Sequence, residues 1–142
     1  MKSISINLNF SGAVIPVIDC DDGTQRVPLK PICDAVGVGW DCQRKKVMSE
    51  NLSSWLGIIL INIKFAGQNR IMTMIRIDRV AGFLNRINPA SVRGAGNTTS
   101  ADFLEGKRRE WDSAIHSYEQ QRGKIFGVNS QNVAQHEKRF LA

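Results

Sequence analysis

A chain of 142 residues is the size of one ordinary domain, and with 42% hydrophobic and 23% charged residues it can bury a core, which excludes disorder throughout. Its net charge of +6 favours anionic partners, such as nucleic acid or an acidic protein face, without choosing between them. Cys20, Cys33 and Cys42 are odd in number and lie far from His116 and His136, and the most apolar run, residues 56–63, is too short for a membrane span. We therefore expect a cytoplasmic protein with no metal site, no cofactor, no disulfide framework and no membrane partner.

Taken in chain order, Ile4, Ile6, Leu8 and Phe10 alternate with polar residues, the period of a half-buried strand. Ser11 and Gly12 turn the chain into a second strand over residues 13–20, where Pro16 points to an edge or a bulge. Residues 21–24 form another turn, and residues 25–27 can pair as a third strand. Pro31 suits the first turn of a helix with Ile32, Ala35 and Val36 on its apolar side, and Gly37 can end it. Asp41 is expected to cap a second helix over residues 41–49, with Val47 and Met48 inward and Arg44, Lys45 and Lys46 mostly outward.

Residues 58–65 and 70–75 read as a further hairpin around a turn at 66–69. Asp78 is expected to cap a helix over residues 79–86 that shows Val80, Phe83 and Leu84 on one face. Residues 88–100 have loop composition, and Thr99 with Asp102 has capping spacing. The longest helix is expected over residues 101–121, with Phe103, Leu104, Trp111, Ala114, Ile115 and Tyr118 as its apolar stripe. The fold class is α+β: small β-hairpins packed against short helices, with a long C-terminal helix. Residues 1–122 form one domain and residues 123–142 a polar C-terminal tail. The large apolar residues of the long helix also point to a homo-oligomer.

Candidate chemistry is sparse. Asp112, Ser113 and His116 lie close on one helix, but a nucleophile and base also need a pocket and oxyanion donors, which nothing nearby supplies. Residues 93–97 are glycine-rich, yet lack the preceding strand and third glycine of a phosphate-binding loop. No catalytic residue is assigned, and the chain is not expected to be an enzyme. Gln43, Arg44, Lys45 and Lys46 are the most suggestive polar cluster. On the second helix of a helix–Gly–helix unit, the cations can hold phosphates, and Gln43 or Arg44 can reach a base edge. A solvated basic face explains them equally well, because Lys45 falls where a helix-turn-helix packs an apolar residue. Lys107, Arg108 and Arg109 are interleaved with Glu105, Glu110 and Asp112, the spacing of helix-surface ion pairs. Trp40 and Trp55 are core residues or, if exposed, anchors for a protein interface.

Residues 27–40 run Val27, Pro28, Leu29, Lys30, Pro31, Ile32, Cys33, Asp34, Ala35, Val36, Gly37, Val38, Gly39, Trp40. This stretch resembles the phage antirepressor N-terminal domain family, in which a hairpin leads into a K-P-I-C-x-A-x-G helix, a Trp, and a Gln- and basic-rich helix. Residues 43–46 take that last place. Ile77 to Leu84 resembles the family's L-x-x-L-x-G-W-L segment, and Ile87 to Arg93 resembles its I-N-P-x-x-V-R segment. The resemblance covers about residues 3–120. Residues 94–100 look inserted, and the family's Y-Q-x-E is replaced around Arg109, Glu110 and Trp111. The resemblance implies a regulator that binds a phage repressor protein and relieves its hold on operator DNA. The alternative is a DNA-binding transcription regulator using the basic helix at residues 41–49. A third reading, a small host-takeover or toxin-like protein, shares the resemblance with a different target.

Overall fold

The computed structural model describes residues 4–65, 67–93 and 98–126. The first two strands, β1 (Ile4–Phe10) and β2 (Ala13–Asp19), form the expected hairpin, with Ser11 at φ 53° and Gly12 at φ 81° making the turn. β2 pairs with β3 (Gln25–Pro28). The later hairpin is β4 (Ile59–Phe65) with β5 (Gln68–Arg76). The two hairpins are not separate: β3 pairs antiparallel with β5 through Val27 and Ile75, giving one five-stranded sheet in the order β1-β2-β3-β5-β4.

Three helices fill the connection from β3 to β4. In α1 (Leu29–Val36) the residues Leu29, Ile32, Cys33 and Val36 recur at helical spacing and are all buried. It ends at Gly37, in the left-handed conformation at φ 77°. There the Val38 N–H bonds back to the Cys33 carbonyl at 3.0 Å, a Schellman-type stop. α2 (Trp40–Val47) starts one residue earlier than expected, with Gly39 at its N-cap. Asp41 lies inside the first turn and forms no cap hydrogen bond, so its carboxylate acts on the helix dipole rather than as a cap. Met48, expected inward, is exposed, because α2 ends at Val47 and the chain turns there. α3 (Glu50–Leu56) was not foreseen: with Leu56 buried and Leu52 half-buried it shows too short an apolar pattern to be read as a helix.

After β5, a 3-10 turn at Ile77–Arg79 leads into α4 (Val80–Asn85), which buries Val80, Phe83 and Leu84 as expected. Asp78 does not cap it. Its carboxylate instead accepts from Arg76 Nε at 3.0 Å and from a second guanidinium nitrogen at 2.8 Å. A second 3-10 turn, Pro89–Ser91, sits inside the expected loop, capped by the Asn88 side chain. The long helix α5 (Ser100–Phe126) is entered as expected, since the Asp102 N–H donates to Thr99 Oγ1 at 3.2 Å. It runs through the boundary at 122 that the sequence suggested, and residues 127–142 of the expected tail lie outside the described residues.

The main core lies between the helices and one face of the sheet. Leu8, Phe10, Ile15, Val17, Val27 and Ile75 supply the strand side, and α1, α4 and α5 the helix side. Leu104, Trp111, Ala114 and Tyr118 of α5 are buried, with Trp111 meeting Phe10 edge-on at 5.3 Å. This stripe is used within the chain, so the homo-oligomer expected from it draws no support from it. Arg108 bonds the Leu84 carbonyl at 3.1 and 3.2 Å, closing the C-terminal end of α4. Arg122 pairs with Asp19 at 3.3 Å. A second, smaller cluster of Ile18, Ile61, Ile63 and Met74 lies on the opposite face of the sheet, since Met74 and Ile75 are adjacent in β5 and point opposite ways.

Candidate partner-binding groove

The face of the β4–β5 hairpin that continues the main core runs out beyond the helices. By strand alternation Ile71 and Thr73 share the face of Ile75, and Thr73 stands opposite Leu60. Ile75 is fully buried, yet Leu60 is 60% and Ile71 72% exposed. Fully burying such a side chain is worth about 1.5–3 kcal/mol, so water here is an unfavourable neighbour for both. The neighbouring strand face cannot use them, because β4 and β5 already close their other side on Ile18.

Between this hairpin and α1–α2 lies a cleft of about 370 Å³. Trp40, Leu60, Ile71, Met72 and Thr73 line it together with Lys30, Arg44 and Arg70. Trp40 is placed there by the Gly37–Gly39 break between α1 and α2, which starts the second helix at the indole. Lys30 is held by Asp34 one helical turn on, at 3.2 Å. Arg70 donates to Gln68 Oε1 at 2.8 Å. Among the described residues neither Arg44 nor Arg70 is in an ion pair.

The structure separates the four residues singled out on the basic helix. Gln43 is 5% exposed: with Val47, one turn later, it forms the seam by which α2 rests on the body of the domain. It is therefore withdrawn from the surface on which it was expected to reach a base edge. Arg44, Lys45 and Lys46 are exposed, and of these Arg44 lines the groove. Lys30, Leu60, Arg70 and Ile71 were missed from sequence. One signal was legible: residues 58–61 and 71–75 are apolar on both strand faces instead of alternating.

The remaining candidates lie elsewhere. Trp55 is 41% exposed on α3, packed over Gly82, with the Arg79 and Arg86 guanidiniums 4.9 and 5.3 Å from its ring. Lys107 pairs with Glu110, and Arg108 and Arg109 with Glu105, as their spacing suggested. Asp112, Ser113 and His116 are exposed on α5, and Ser113 lines a second cleft, of about 540 Å³, between α5 and β1. Among the described residues no His, Cys, Asp and Glu group of three or more can hold a metal ion. Nor is any helix among them long and apolar enough to cross a membrane.

The first and last of the segments that carry the resemblance meet in space. The Arg93 N–H donates to the Gly37 carbonyl at 2.7 Å, and a Cβ on Gly37 would run into the Arg93 carbonyl oxygen. The glycine that ends α1 is thus also the seat for the segment after Pro89. The family model of the P22_AR N-terminal domain matches residues 6–125. The chain belongs to this family. A P22_AR N-terminal domain thus spans β1 to the end of α5, and the match runs past residue 122 into the last turns of that helix. An antirepressor-like role in general comes with that membership. No curated protein and no solved structure matched the chain.

Proposed function

We propose that this P22_AR N-terminal domain is a phage or prophage antirepressor-like regulator that binds a repressor protein and relieves its hold on operator DNA. It does so in the cytoplasm, by contact alone, with no covalent step. The observation that carries the reading is the family match across residues 6–125. The groove supports it: an apolar floor with a charged rim is the anatomy of a protein interface, and Leu60 and Ile71 are the side chains that gain most from a partner.

A second reading, direct DNA binding, is favoured by one observation: Arg44, Lys45 and Lys46 are all exposed on α2. The test is operator release. The repressor encoded in the same phage or prophage genome is bound to its labelled operator, and the chain is titrated in. Release of free operator, with the chain recovered on the repressor, is the expected result. Supershift of the operator by the chain without repressor, weakening steeply as salt rises, overturns it in favour of DNA binding.

A further inference from the structure

We infer that the groove between α2 and the β4–β5 hairpin takes an acidic segment of the partner protein, anchored by bulky apolar side chains. The inference rests on the reading that the partner is a protein, and it adds which surface is used and what chemistry fits it.

Three observations converge. The floor is apolar, with Trp40, Leu60 and Ile71, and two of these are among the most exposed large hydrophobic side chains described. A DNA surface offers such a floor little, since protein–DNA interfaces are polar and strongly charged, whereas the buried centre of a protein interface is apolar. The rim is cationic: Lys30, Arg44 and Arg70 line the groove, and among the described residues no Asp or Glu does. Asp34 neutralises Lys30 from outside it, which leaves two arginines unengaged by carboxylates among the described residues. Arginine presents a planar fork suited to carboxylates and is the cation best kept at an interface. The third observation argues against a second copy paired two-fold through this groove. A two-fold pairing through this patch sets the same residues against one another. Lys30, Arg44 and Arg70 would then be set against a patch that carries the same three cations, in a protein that already carries +6.

The groove therefore selects apolar anchors flanked by Asp or Glu. The charges set encounter and register, and the anchors hold the complex once formed.

The test is selection of short peptides from a random display library on the immobilised full chain, followed by affinity measurement of the selected peptides. The expected consensus is bulky apolar residues among Asp and Glu. Affinity is expected to fall about tenfold or more for Ile71→Ser, and likewise for Arg44→Glu combined with Arg70→Glu. All three positions are exposed, and circular dichroism of each variant verifies that it is folded. A neutral or basic consensus, no enrichment, or selected peptides that bind the variants as tightly as the parent overturns the inference. So does duplex DNA that displaces the peptides and itself depends on Arg44 and Arg70. The same variants in the operator-release assay keep the two claims apart. Release that survives the Arg44→Glu, Arg70→Glu change overturns the groove and leaves the antirepressor reading standing. A parent chain that never releases operator overturns that reading, and the peptide selection still decides the groove.

Discussion

At the β1 end of the sheet, Leu8 and Phe10 are closed off by α5, and Trp111 sits edge-on against Phe10. At the β4 end, Leu60 and Ile71 stand on the continuation of that same face, and among the described residues no helix covers them. β1 alternates strictly, with one apolar face for one helix to cover. Over residues 59–61 and 71–75 the β4–β5 hairpin is apolar on both faces; one face closes on Ile18, and on the other the fold buries Ile75 but leaves Leu60 and Ile71 exposed. The difference teaches that an apolar strand face is buried only where another element of the chain returns over it.

The contrast should break first at Trp111. Trp111→Ala removes the largest buried side chain and is expected to cost about 3–5 kcal/mol, whereas Ile71→Ala should stay within about 0.5 kcal/mol. Urea unfolding of the two variants measures both. A comparable loss at Ile71 would mean the hairpin face is not free in solution.

Arg26 sharpens the comparison, since it ties the β2–β3 turn to the junction of α3 and β4 and sequence reading passed it over. It is buried in β3 and donates from Nε to the Gly57 carbonyl at 2.7 Å and from a terminal nitrogen to Thr24 Oγ1 at 2.8 Å and to Asp22 at 3.2 Å. Arg26→Ala leaves the Gly57 carbonyl without that donor, at a cost of about 1–3 kcal/mol. Hydrogen exchange should show the loss concentrated around the junction of α3 and β4 rather than in α5.

Gly37→Ala tests the seat that joins the two family segments. Its positive φ and the nearby Arg93 carbonyl both oppose a side chain, so a loss of more than about 1 kcal/mol is expected from the denaturation midpoint. Gly12→Ala has open space and carries only the backbone strain, so it should cost less.

A smaller effect belongs to Asp22. Hydrogen bonds from the Thr24 hydroxyl and backbone N–H, with Arg26 beside them, lower its carboxyl from 3.8 to about 2. Because the folded value is depressed, the contribution is present above about pH 4 and is lost as pH falls towards 2. The stability difference between the parent and Asp22→Asn should therefore shrink across that window in acid titrations of unfolding. Smallest in energy, but easily read, is thiol chemistry. Burial pushes the Cys33 thiol up to about 12, so a thiol-specific reagent should label exposed Cys42 in the native protein and Cys33 only on unfolding.

Much of the scaffold was legible because its signals are local. The alternation in β1, the Gly37 stop, the Thr99 cap and the α5 stripe each depend on residues within a few positions of one another. Asp41 and Asp78 misled for the same reason: an acidic residue near a helix start suits a cap or a first-turn position, and only the path of the chain chooses. The groove was the least legible part. Lys30 and Arg44 are separated from Leu60, Arg70 and Ile71 by α3 and a strand, and no spacing rule connects them.

By itself the sequence determined the α+β class, most of the strands and helices, and the family, since those follow from periodicity, turn chemistry and a motif of fixed offsets. The tertiary structure alone decided that β3 and β5 fuse two hairpins into one sheet, that Gln43 is inside while Arg44 is outside, and that Leu60 and Ile71 are left exposed while Ile75 on the same face is buried. Periodicity states which side of an element is apolar. Whether another element lies over that side depends on where the chain returns in three dimensions, and that is settled by packing.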